Sequence, residues 1–226
     1  VAGPCRAKPC PLSPKDLTAE SLMLLAVFLC RCGLPIRYRR LSAGATLLKL
    51  EEGRVRPEVQ MPFFAANLSL MFTEHAFLDR FQAAADAGFD AVEFLFPYEF
   101  EADAIAERLA EAELEQVLFN LPPGDWAGGD RGLAALPERK EELQQSVATA
   151  LAYAQALGTR RLHMMAGIAD PADPVHQRAY RDALAFVADA TGEKDITLLI
   201  EPLNPRDMPG YFLNSFDLAA AAITDL

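Results

Sequence analysis

Five polar side chains stand where apolar runs stop. Asn67 follows Phe63-Phe64-Ala65-Ala66, Glu93 follows Ala91-Val92, and Asn120 follows Val117-Leu118-Phe119. His163 follows Arg161-Leu162, and Glu201 follows Ile196-Thr197-Leu198-Leu199-Ile200. A carboxylate between a dry core and water holds a charge that can be put to use. The chain has no HExxH, no Ser-centred nucleophile elbow, no kinase signature and no glycine-rich dinucleotide fingerprint, since Asn67-Leu68-Ser69 follows the first run. What remains is carboxylate acid–base chemistry, with a divalent metal expected to polarise a carbonyl oxygen and stabilise an enediolate. Glu201 suits a base, a metal ligand or both.

These ends need elements that bring them together. Strands are expected at 63–68, 91–96, 116–121, 161–166 and 196–200. The helical spacing of Phe77, Leu78, Phe81, Ala84 and Ala85 predicts a helix over 74–87, with Thr73 as N-cap and Gly88 as its stop. Further helices are expected at 102–113, 137–157, 175–191 and from Ser215-Phe216-Asp217 to Leu226. Five βα units with near-continuous apolar strands imply a parallel sheet, either doubly wound or a (β/α)₈ barrel. Polar side chains at every strand end favour the barrel, whose chemistry sits on that face. The loop 120–132 is long and holds the single tryptophan, Trp126, beside Asp125; a lid over a small polar substrate is expected.

Bulk properties narrow the function. The net charge of −11 argues against non-specific nucleic-acid binding. Residues 1–60 hold ten Lys/Arg against five Asp/Glu, a net of +5, which leaves −16 for the remainder. All four cysteines (Cys5, Cys10, Cys30, Cys32) lie in that segment, at spacings matching no common zinc pattern. Residues 1–60 are therefore expected to be an extension outside the functional fold, which starts near Met61. No run is long enough to span a membrane, and a cytoplasmic location is expected.

The segments Phe64-Ala65-Ala66-Asn67-Leu68-Ser69, Val92-Glu93-Phe94-Leu95-Phe96-Pro97-Tyr98, Asn120 to Gly132, His163-Met164-Met165-Ala166-Gly167 and Ile200 to Leu213 together resemble the hydroxypyruvate isomerase family. The chain is similar also to the closely related 2-oxo-tetronate isomerases; both groups are xylose-isomerase-like TIM barrels. The likeness runs from Met61 to Leu226. It implies an α/β fold, a (β/α)₈ barrel of which about five βα units are present. It also implies aldose–ketose isomerisation of a small hydroxy-oxo acid, with Glu201 as proton-transfer group and ligand of Mg or Mn. Asn67, Glu93, Asn120, Asp125, Trp126, His163 and Asn204 become the substrate-binding candidates. By the same resemblance the second glutamate and the other metal ligands belong to strands six to eight, beyond Leu226. A non-catalytic fragment and a metal-dependent nuclease are the competing classes, and acidity disfavours the nuclease. Uncovered strand edges make a homo-oligomer an expected partner.

Overall fold

The computed structural model describes residues 63–224. The expectation for residues 1–60 lies outside them. The elements alternate strictly: β1 (Ala65–Asn67), α1 (Arg80–Asp86), β2 (Ala91–Glu93), α2 (Ala102–Glu111), β3 (Glu115–Asn120), α3 (Lys140–Leu157), β4 (Arg161–His163), α4 (Pro174–Gly192), β5 (Thr197–Leu199) and α5 (Phe216–Thr224). All strand pairs are parallel and the sheet order is β1-β2-β3-β4-β5. A doubly wound sheet reverses its strand order at a switch point; this one never does. Right-handed crossovers in one direction put every helix on the same side. The other face is left to the strands, as in a barrel wall.

The helical side holds the core. Ala66, Val92, Phe94, Phe119, Leu162 and Met164 are all buried beneath it. Phe94 stacks on Phe119 at 6.1 Å between centroids and meets Phe77 edge-on at 5.5 Å. Burying side chains of this size contributes about 1.5–3 kcal/mol each. Among the described residues β1 and β5 each pair on one side only.

Boundaries differ from expectation at the first unit. Phe63 and Phe64 are exposed, so the first strand is shorter than 63–68. The expected helix over 74–87 begins only at Arg80, after a 3₁₀ turn at Phe77–Asp79, and Thr73 does not cap it. The intervening chain is instead turned by Met71 N–H on Asn67 O and pinned by Arg80, whose Nε and Nη1 donate to the carbonyls of His75 and Leu68. Gly88 does stop the helix, at φ +90°. Ser215 caps α5, its Oγ accepting from Leu218 N–H.

Candidate active site

Strand register decides which side chains share a face. Asn67 lies opposite Glu93. Between β2 and β3 the register slips by one residue at Val92/Glu93, so that Glu93 faces Leu118 rather than Val117. Side chains alternate along a strand, so Asn120 joins Leu118 on the Glu93 face. Asn120 lies opposite His163, and His163 opposite Leu199. Two residues further on, past the strand end, comes Glu201. Asn67, Glu93, Asn120 and His163 therefore share the face the helices leave open, and Glu201 joins them at the C-terminal rim.

The contacts agree. Asn67 Nδ2 donates to Glu93 Oε1 at 2.9 Å, while its Oδ1 accepts from Ser69 N–H. Asn67 thus both satisfies its loop and holds the Glu93 carboxylate. His163 Nδ1 lies 3.1 Å from Asn120 Oδ1. The amide oxygen can only accept, so the Nδ1 carries the proton and Nε2 is an unprotonated acceptor. That Nε2 is buried with no protein partner. Burial lowers the imidazole pKa to about 4, so it is neutral at pH 7. Tyr98 Oη donates to the Asn120 carbonyl, fixing the end of β3.

The carboxylates are perturbed together. Burial raises Glu93, and the Asn67 hydrogen bond pulls it partly back. Burial raises Glu201 and the Glu93 charge raises it further. Glu201 as a whole is exposed, so its desolvation is partial and solvent reaches it. A carboxylate with a raised pKa is a stronger base nearer neutral pH.

Sequence reasoning missed how the rim is knitted. The loop after β3 runs antiparallel to the segment after β4, with a bridge between Gly132 and Ala166; Ile168 bridges Tyr211 in the loop after β5. Ala135 N–H donates to Ala166 O at 2.7 Å, Gly167 N–H to Arg131 O at 3.0 Å and Phe212 N–H to Gly167 O at 2.9 Å. Buried Tyr211 accepts from Ala166 N–H at 2.8 Å. Burial raises its pKa, and the Glu201 charge raises it further against that bond, so Tyr211 stands beside the site. The only signal for it was its place in the Ile200 to Leu213 segment.

The expected lid is a braced loop. Asp125 is exposed and accepts from Gly128 N–H at 2.8 Å, while Asp130 accepts from Asp125 N–H and from Arg139 Nη1, both at 2.6 Å. Trp126 packs on Phe96 at 5.0 Å, so the loop crosses from the end of β3 to the end of β2. Asn204 is exposed and its side chain closes its own turn, accepting from Arg206 and Asp207 N–H and donating to Asp207. The structure thus gathers Asn67, Glu93, Asn120, His163 and Glu201, and leaves the side chains of Asp125 and Asn204 to their loops.

A hard divalent cation takes about six oxygen donors. Among the described residues no three His, Cys, Asp or Glu side chains converge as a metal site. Glu201 is one candidate ligand, and the described residues do not by themselves form the donor set.

Comparison with known proteins matches this architecture. A profile of the xylose isomerase-like TIM barrel family matches residues 81–226. A 2-oxo-tetronate isomerase of Cupriavidus necator is 56% identical over 160 residues, covering 70% of this chain and 61% of that protein. The hydroxypyruvate isomerase of Escherichia coli is 42% identical over 167 residues, covering 72% and 64%. A crystal structure from Brucella melitensis, described as an AP endonuclease of family 2, superposes with a TM-score of 0.71 at 49% identity, covering 73% of this chain and 64% of that one. The chain thus spans about three-fifths of the length of the curated relatives it matches.

Proposed function

This chain belongs to the xylose isomerase-like TIM barrel family, and we propose from that footing that its site performs aldose–ketose isomerisation of a small hydroxy-oxo acid. Hydroxypyruvate, interconverted with tartronate semialdehyde, is the leading substrate; 2-oxo-tetronate is the alternative. The observation that carries the reading is the pair of raised carboxylates, Glu93 and Glu201, among three neutral hydrogen-bonding side chains. The names of the relatives support it.

In this reading the Glu201 carboxylate takes a proton from C3 of hydroxypyruvate. The C–H electron pair moves into a C2–C3 double bond, and the C2 carbonyl oxygen gains negative charge. Return of a proton to C2, with a proton moved from the C3 oxygen to the C2 oxygen, gives the aldehyde. Nothing is oxidised or reduced overall. Glu93 keeps Glu201 basic, and Asn67, Asn120 and His163 hold substrate oxygens. A divalent cation would use Glu201 together with donors from outside the described residues; the proton transfer is assigned without it. The acidic balance fits a small-molecule rather than a nucleic-acid partner, and a cytoplasmic setting. No helix among the described residues is long and apolar enough to cross a membrane.

The test is Glu201→Gln in a chain extended to the relatives' length. The amide keeps the size and removes the base. Interconversion of hydroxypyruvate should fall at least ~10²-fold, and near-normal turnover would overturn the assignment. The ratio of kcat/KM for the two acids decides between substrates.

A further inference from the structure

Every substrate in the proposed class is an anion, yet the site as gathered has no cation. An incoming carboxylate meets Glu93 and Glu201, with only neutral Asn67, Asn120 and His163 between them. Like charges of this kind cost affinity unless positive charge offsets them. A cationic side chain at the rim would offset this repulsion, and the inference rests on the isomerase assignment for its substrate.

We propose that Arg131 receives the substrate carboxylate. It lies in the loop after β3, and its carbonyl is tied to Gly167 N–H after β4 at 3.0 Å. Its guanidinium carbon sits 4.1 Å above the Trp126 ring, and that ring packs on Phe96, three residues beyond Glu93. One nitrogen, Nη1, donates to the carbonyls of Trp126 and Asp130. No carboxylate of the described residues lies within ion-pair distance of Arg131. The edge formed by Nε and Nη2 is left whole, the two-nitrogen fork that matches a carboxylate bidentately. Stacking and two carbonyls hold the group in place before a ligand arrives, so little ordering entropy remains to be lost on binding.

The other cations beside the rim are engaged or unfixed. Arg139 is paired with Asp130 and Glu142. Arg80 uses Nε and Nη1 on two different carbonyls, which leaves neither of its forks whole. Arg206 is exposed, and its recorded hydrogen bond is made by its backbone. Arg131 is the half-buried, pre-oriented one.

The experiment uses the chain extended to the relatives' length and calorimetric titration with two ligands of one skeleton. Hydroxypyruvate has a carboxylate where dihydroxyacetone has a hydroxymethyl group. The wild-type chain should bind the acid more tightly than the neutral ketose. Arg131→Met should weaken the acid at least ~10-fold, the loss of a charged hydrogen-bond pair, and leave the neutral ketose unchanged. Arg131→Lys, which keeps the charge without the fork, should fall between. Trp126 is the only tryptophan, so its emission should respond to the acid in the wild type and not in Arg131→Met. Unchanged acid affinity in Arg131→Met overturns the role of Arg131 while leaving the isomerase assignment intact. Should Arg131→Met not fold, acid affinity in Arg131→Lys equal to wild type overturns it equally. If the wild-type chain binds the neutral ketose as well as the acid, or binds neither, the substrate class is wrong and the role of Arg131 falls with it.

Discussion

Replacing Gly132 by alanine should separate the knitted rim. Gly132 has φ +109°, and a Cβ there would fall on the carbonyl of Met165, with the Met165 Cβ only 2.6 Å away. Gly129, in the same loop, has φ +106° and nothing within 4 Å of the same added atom. The two substitutions share the backbone strain of an L-residue at such a φ, about 1–3 kcal/mol. They differ in the collision. To restore an ordinary contact the two rim segments must part by roughly 1 Å, which is enough to lose an N–H···O bond. Two such bonds span the gap: Gly167 N–H to Arg131 O and Ala135 N–H to Ala166 O. At about 1 kcal/mol each, Gly132→Ala should be about 2 kcal/mol less stable than Gly129→Ala. With a slope near ~2 kcal/mol per molar urea, its unfolding midpoint should lie about 1 M lower. Midpoints agreeing within ~0.3 M would show that the rim yields without loss, and that the ladder across the three loops does not hold the site.

Acid should weaken the fold through His163. Its folded pKa of about 4 lies below the ordinary histidine value of 6.5, so the unfolded chain takes the proton first. The stability it contributes is complete above about pH 6.5 and is lost as pH falls through 4, up to about 3 kcal/mol. His163→Gln should remove that part of the pH dependence, measured by urea unfolding at pH 7 and pH 4.5; an unchanged pH slope would refute it. Arg139→Met should cost under ~1 kcal/mol globally, as expected for a partly solvated ion pair. Its effect should instead be faster amide hydrogen exchange in residues 125–131, where Asp130 loses its anchor; unchanged exchange there would count against the bracing.

The alternation of strands and helices was legible because each strand is an apolar run and each helix an amphipathic one. The barrel-type winding followed from polar strand ends, and the unreversed strand order bears it out. Thr73 misled because an N-cap signal competes with tertiary demands: the chain between Asn67 and Phe77 is committed to turns held by Arg80. Strands came out short since pairing stops where Met164, Met165 and Ala166 turn into the rim. The contact of Tyr211 with Ala166 was out of reach, because it depends on loops after different strands meeting. No spacing within one segment encodes such a meeting.

The slip at Val92/Glu93 works as a change of phase. Had β3 met β2 without it, Val117 would face Glu93. By alternation Phe119 would then point into the site, and Asn120 and His163 would turn toward the helices. One extra residue rotates half of the rim into step with the other half. Closing the slip by pairing Val117 with Glu93 therefore does more than regularise a ladder. It exchanges inside for outside for everything beyond, offering a phenyl ring to a polar substrate and an amide–imidazole pair to a hydrocarbon layer. Any transplant of this site onto another parallel sheet has to carry that irregularity along with the side chains.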